Sequence, residues 1–299
     1  MGLFEGLAVV VAGGGAGLGR RYALDLAAAG AQVLVAGRSE SVEEVVREIR
    51  TSGGSAVAYV GDVRDATPFV EQAASSFGRI DALIVSAGLT RDRTFAKMTL
   101  AEWDEVLSVH LDGARACAAA AWPHFLAQEG GRIVLTTSGA GLHGNFGQAN
   151  YSAAKAALIG LARSLALEGA SRNVYVNAVA PMAHTSMTEA IFSPDLAAAL
   201  TPPGVSPFVL ALAHPSCREN GAVIETGGGW ASKLRWERSV GLRLPADQLD
   251  PRVVLSRWDE LTDFGRGSDH PTTTADALRA AAGPDRTSIC TTFPSSPAR

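Results

Sequence analysis

Short continuous apolar runs recur along the chain at 7–12, 31–36, 56–60, 81–86, 133–137, 173–180 and 221–225. Each is bounded by glycine or polar residues and is rich in Val, Ile, Leu and Ala, which predicts strands buried on both faces. Between them lie longer stretches with apolar residues at helical spacing, at 20–26, 40–51, 66–77, 103–121 and 150–168. Strand and helix therefore alternate, the pattern of a doubly wound α/β fold with a parallel seven-stranded sheet and helices on both faces. A further helix is expected near 250–264, opened by Pro251 at its first turn. From about Gly265 the chain turns polar, and Pro284 to Arg299 has the composition of a disordered tail. These shifts divide the chain into a main domain at 1–240, an extension packed on it at 241–283, and a tail at 284–299.

The first strand ends in a loop holding Gly13, Gly15, Gly17, Leu18 and Gly19, and a helix follows. Glycines permit a tight turn and let backbone approach a pyrophosphate, while free N–H groups and the dipole of the helix N-terminus favour an anion. A Gly-rich loop alone is weak evidence. Flanked by strand, helix and a second strand it becomes a dinucleotide site, with Asp62 and Val63 after the third strand and Ala87-Gly88 after the fourth as further lining. Asp62 is equally well read as an acid that caps a turn.

Tyr151 and Lys155 are four apart on one predicted helix and therefore share a face. An ammonium beside a phenol favours the phenolate, bringing a group of ordinary pKa near 10 toward acid–base work at neutral pH. Ser138 stands thirteen residues upstream of Tyr151, at the end of the run Ile133-Val134-Leu135-Thr136-Thr137. The chain has only three lysines, Lys97, Lys155 and Lys233, so a lysine at this spacing is less readily a coincidence.

Gly-rich loop, Ser138, Tyr151 and Lys155 together resemble the short-chain dehydrogenase/reductases, from near Leu7 to at least Trp236. Gly144 to Lys155 and Gly227 to Arg238 are similar to the (3R)-hydroxyacyl-CoA dehydrogenase part of peroxisomal multifunctional β-oxidation enzymes. The resemblance implies a Rossmann-type fold, with Tyr151 as acid/base, Lys155 lowering its pKa and holding a ribose, and Ser138 binding the reacting oxygen. His110, in Val109-His110-Leu111, stands where most of the superfamily has Asn and implies a proton relay. Pro181 with Thr185 or Thr188 would meet the nicotinamide, under a lid at 184–200. The substrate implied is an acyl-CoA, a (3R)-hydroxyacyl-CoA oxidised to the 3-ketoacyl-CoA, with Arg91, Arg93, Arg235 and Arg238 as candidates for its phosphates. A homodimer or homotetramer is the usual assembly. Ala12, Val85, Ser86 and Met182 depart from the superfamily's Thr, Asn, Asn and Gly. A ketone or 3-ketoacyl-thioester reductase and a non-catalytic cofactor-binding scaffold are the competing readings; the retained Ser138, Tyr151 and Lys155 argue against the scaffold.

An NAD site wants an acid at the end of the second strand. Ala36-Gly37-Arg38-Ser39 stands there, removing the acid and offering Arg38 to a 2′-phosphate, so NADP is preferred to NAD. Net charge of −4 without a basic block speaks against nucleic acid. No apolar run is long enough for a membrane span, and the N-terminus does not read as a signal. Cys117, Cys217 and Cys290 are odd in number and lack metal-ligand spacing, so no metal is expected and a reducing, cytoplasmic setting is.

Overall fold

The uninterrupted apolar runs arise because the strands have no wet face. Every residue of β1 (Ala8–Ala12), β4 (Ala82–Val85) and β5 (Gly131–Thr136) is buried. A computed structural model describes residues 2–185 and 192–282. The described chain falls into two compact units, one ending at Lys233 and one beginning at Leu234.

In the first unit these strands are joined by β2 (Gln32–Gly37), β3 (Ser55–Val60), β6 (Val174–Pro181), β7 (Val223–Gly227) and β8 (Trp230–Leu234). The sheet order is β3-β2-β1-β4-β5-β6-β7-β8, with the first seven parallel. The helices are α1 (Gly17–Ala28), α2 (Ser41–Thr51), α3 (Thr67–Phe77), α4 (Leu100–Leu107), α5 (Gly113–Gln128), α6 (Gly139–His143), α7 (Ala149–Gly169), α8 (Pro194–Ala199) and α9 (Ser206–Ala213). One core joins the sheet to α1, α2 and α9 through Tyr22, Leu26, Val45, Ile49 and Val209. The doubly wound fold is as expected, but the sheet has eight strands where the apolar runs predict seven. Gly228 and Gly229, at φ 57° and 82°, form a two-residue turn that folds the chain back after β7. The added edge strand is partly exposed, so it lacks the apolar run that marks the others.

Chain order and sheet order part company between β1 and β4. Ala12 is level with Ala36 on one side and Val85 on the other, so these strands end together. Here α/β sheets open the crevice that receives ligands.

The helix expected over 103–121 is interrupted. Ser108–Asp112 is a π-helical turn between α4 and α5, and His110 sits within it, 2% exposed. A π turn rotates one residue out of the helical register and is common at functional sites. The second unit holds the short antiparallel pair β9 (Arg238–Ser239) and β10 (Ser268–Asp269), with α10 (Pro251–Ser256), α11 (Trp258–Thr262) and α12 (Thr274–Ala282). The single helix expected near 250–264 is two, because Arg257 leaves helical geometry at φ −118° and ψ 21°. The tail expected at Pro284–Arg299 lies outside the described residues.

Candidate active site

The carboxyl ends of β1, β4, β5 and β6 open on a cleft of 440 Å³. At one end it is made of backbone. Gly13 has φ 85°, and a Cβ there would come within 2.4 Å of the Ala87 backbone nitrogen. A Cβ on Gly19 would lie 2.1 Å from the Gly13 carbonyl oxygen, so the turn and α1 close only on glycine. The N-cap of α1 is Ala16, which supplies no side-chain hydrogen bond, and the first turn has no acid. Gly15, Ala16, Gly17 and Leu18 at this helix start line the cleft, and the first-turn N–H groups of a helix lack intrahelical partners, a fit for a dinucleotide's pyrophosphate. Val63, Ala87, Gly88, Pro181 and Thr185 also line the cleft, and Thr188 lies outside the described residues.

Arg38 is exposed on the rim, with Ser39 and Ser41 beside it, their hydroxyls 2.7 Å apart. Asp62 does not line the cleft. Both its oxygens are held by Arg64, Oδ1 at 2.9 Å and Oδ2 at 2.7 Å, which holds its carboxyl down at about 2. The geometry favours the turn-capping reading of Asp62.

At the other end the cleft is made of buried polar side chains. Ser138 is extended at φ −164° and caps α6, its Oγ accepting the Ala140 N–H at 3.2 Å. Its own hydroxyl proton is left to donate, and it hydrogen-bonds Tyr151. Lys155 is 3% exposed, with Nζ 5.6 Å from the Tyr151 ring centroid and donating to Thr136 O at 2.5 Å. The His110 ring meets the Tyr151 ring edge-on, centroids 5.1 Å apart at 89°. Gly88 makes this possible, since a Cβ there would lie 2.4 Å from His110 Cε1. Ser138, Tyr151, Lys155 and His110, scattered over 46 positions of sequence, thus converge on one wall.

The electrostatics differ from the expectation. Burial raises the Tyr151 phenol, the Ser138 hydrogen bond lowers it, and the Asp92 charge raises it. Burial also pulls the Lys155 ammonium down to about 7. The same burial, with repulsion from Lys155 and against the bond to Leu89, takes His110 down to about 3. His110 is therefore neutral at physiological pH. Its Nε2 lies 2.7 Å from Leu89 O, a donor's distance, and its Nδ1 is buried without a partner among the described residues.

Sequence reasoning passed over the residues just before Tyr151. Asn150 is fully buried and Gln148 nearly so. The Asn150 amide donates to Arg91 O and Glu102 O, at 3.2 and 3.1 Å, while its Oδ1 accepts the Tyr151 N–H at 2.7 Å. Gln148 Nε2 donates to Asp92 at 2.7 Å. Two polar amides ahead of Tyr151 look like loop residues in sequence, and only their burial marks them. Arg91 and Arg93, candidates for CoA phosphates, are engaged by Glu105 and Glu102 at 2.7 and 2.8 Å. Arg238 is held by Asp269 at 2.6 Å.

A family model described as short chain dehydrogenase matches residues 7–195. The peroxisomal multifunctional enzyme type 2 of Mus musculus is 44% identical over 277 residues, covering 89% of this chain and 38% of the mouse protein. The structure of the full-length enzyme of that name from Drosophila melanogaster superposes with a TM-score of 0.81 at 39% identity, over 92% of this chain and 48% of that one. The crystal structure of a putative NAD(P) dependent gluconate 5-dehydrogenase from Beutenbergia cavernae, with NADP bound at low occupancy, gives a TM-score of 0.71 at 35% identity, over 77% of this chain and 99% of that one. The chain thus spans less than half the length of the mouse and fly enzymes, and 64% of the peroxisomal multifunctional enzyme A of Dictyostelium discoideum. Fungal and slime-mould relatives also carry peroxisomal names, and these names overturn the cytoplasmic expectation. The cysteine pattern misled because it reports only that disulfides are absent, which several compartments share. Family match, relatives and the converged side chains agree: this chain belongs to the short chain dehydrogenases and is an oxidoreductase of that family.

Proposed function

We propose that the chain oxidises a (3R)-hydroxyacyl-CoA to the 3-ketoacyl-CoA with NADP(H) or NAD(H), as a step of β-oxidation in a peroxisomal setting. The observation that carries the reading is the convergence of Ser138, Tyr151, Lys155 and His110 on one wall of a cleft whose opposite end is a glycine cradle. The relatives' names supply the substrate class.

Gly13, Gly17, Gly19 and the α1 N-terminus would hold the cofactor pyrophosphate, Lys155 a ribose, and Pro181 and Thr185 the nicotinamide. A bound nicotinamide supplies hydride acceptance or donation at the carbinol carbon. Ser138 orients the substrate oxygen with its hydroxyl proton, exchanging its bond to Tyr151 for one to the substrate. Tyr151 takes the carbinol proton in oxidation and returns it in reduction. Burial keeps Tyr151 a phenol in the free protein, the form that donates. Oxidation therefore needs added positive charge at this wall, which Lys155 supplies when protonated. Neutral His110 relays a proton by exchanging hydrogen bonds, without holding a charge of its own. A homodimer or homotetramer remains part of the proposal.

Arg38 supports the NADP lean, since among the described residues it has no hydrogen-bond or ion-pair partner, and Ser39 and Ser41 add hydroxyls beside it. The bound NADP of the Beutenbergia cavernae structure is consistent with that lean. The test is absorbance at the nicotinamide band with (3R)- and (3S)-hydroxyacyl-CoA and each cofactor. Turnover of the R form alone is expected, because fixed Tyr151 and one nicotinamide face admit a single arrangement. Turnover of simple alcohols or sugars with no 3-hydroxyacyl-CoA accepted would refute the substrate class. Reduction of 3-ketoacyl thioesters with negligible reverse rate would favour the reductase reading.

A further inference from the structure

Tyr151 lies in the first turn of α7, where backbone N–H groups lack intrahelical partners and helices fray. The N-cap, Gln148, makes no side-chain hydrogen bond to that turn. A phenol that must meet a substrate oxygen within a few tenths of an ångström needs this turn held by something else. Asn150 is fully buried beside it, and three of its hydrogen-bonding positions are used. Its oxygen takes the N–H of Tyr151 itself. Its nitrogen grips the carbonyls of Arg91 and Glu102. The first of these belongs to the segment whose Leu89 carbonyl and N–H face His110 Nε2. The second lies in α4, which runs into the π turn carrying His110.

We propose that Asn150 is a positioning residue: one buried amide sets the backbone of Tyr151 against the Leu89–Arg91 segment and thereby fixes Tyr151 relative to His110. It does not line the cleft and acts through those two side chains. The proposal rests on Tyr151 being the acid/base. An amide is required because the site presents one donor and two acceptors to a single side chain. Asn150→Asp keeps the shape and the acceptor but turns an oxygen toward two carbonyls. Asn150→Ala removes all three bonds.

Both variants are measured for kcat, KM, cofactor binding by fluorescence, and the ionisation of Tyr151 by ultraviolet difference titration against Tyr151→Phe. A displacement of about 1 Å at a reacting group typically costs on the order of 10²-fold in rate, so kcat should fall at least tenfold. The cofactor dissociation constant should stay within about threefold, because the Gly13–Gly19 cradle is untouched. The midpoint of Tyr151 ionisation should move, a change that general loss of stability does not produce. In combination with His110→Ala the loss should be smaller than the product of the single losses, because both act through one segment. Unchanged kcat and unchanged Tyr151 titration in a folded variant would overturn the proposal. So would losses of kcat and cofactor binding in equal proportion, the mark of a merely structural role. Should Asn150→Ala not fold, Asn150→Asp decides on the same criteria. The titration needs no substrate, so a parent inactive on every hydroxyacyl-CoA would refute the substrate class while leaving Asn150 testable.

Discussion

The two ends of the cleft are built on opposite plans. The end with Gly13, Gly17 and Gly19 is a surface from which side chains have been removed, so that backbone can close to contact and N–H groups can face an anion. The end with Tyr151 is a surface into which polar side chains have been pushed: Lys155, His110 and Asn150 are all nearly or fully buried. Backbone donors carry no net charge and cost little to bury when they face a ligand. Buried ionisable groups lose hydration and shift toward their neutral forms, as Lys155 and His110 both do. The proposed binding thus rests on geometry and the proposed chemistry on perturbed titration, within one cleft.

The largest effect should come from the chemical end. Tyr151→Phe keeps the ring packed on His110 and removes the proton, so turnover should fall by ~10² or more while cofactor binding persists. Stopped-flow or steady-state rates with parallel binding titrations would check it, and substantial residual turnover would sink the acid/base assignment.

At the backbone end Gly19→Ala puts a Cβ 2.1 Å from Gly13 O, which must spread the turn. Overpacking of this kind costs about 1–3 kcal/mol, and the expectation is a cofactor dissociation constant raised by roughly ten- to a hundredfold with kcat at saturation little changed. If kcat fell while affinity held, the division between the two ends would be wrong.

Arg38 sharpens the comparison, being a charged side chain at the backbone end. A charge-assisted phosphate contact is worth about 1.5–3 kcal/mol, so Arg38→Leu should lower the NADP over NAD ratio of kcat/KM by at least tenfold. A parent preferring NAD, or a ratio unmoved by the substitution, would show that Arg38 does not read the phosphate.

The smallest expected effect is on stability. His110 titrates at about 3 in the folded chain against an ordinary value near 6.5. The unfolded chain therefore binds the extra proton first, and stability present above pH 6.5 is lost as pH falls toward 3. His110→Asn should flatten the fall of Tm over that window. An equal slope in both proteins would mean His110 is hydrated or charged in the folded state.

Much of this was legible in order of residues. Tyr151 and Lys155 needed only helical spacing, and the glycines of the first loop needed only their place between a strand and a helix. Asn150 was not legible, because an amide reads as loop or cap until its burial is known. The π turn at His110 was hidden in the same way, since it leaves the apolar spacing of the surrounding helix almost intact. The eighth strand escaped because an edge strand half open to solvent has no apolar run to announce it.

Local pattern decided what each segment would be: a strand buried on both faces must be apolar throughout, and a turn at positive φ must be glycine. Those demands act on neighbours in the chain and can be read from them. Packing alone decided how Ser138, Lys155 and His110 stand about Tyr151, that Asp62 is spent on Arg64, and that burial raises the phenol. Burial and close approach depend on segments far apart in the chain, and the order of residues carries no record of those distances.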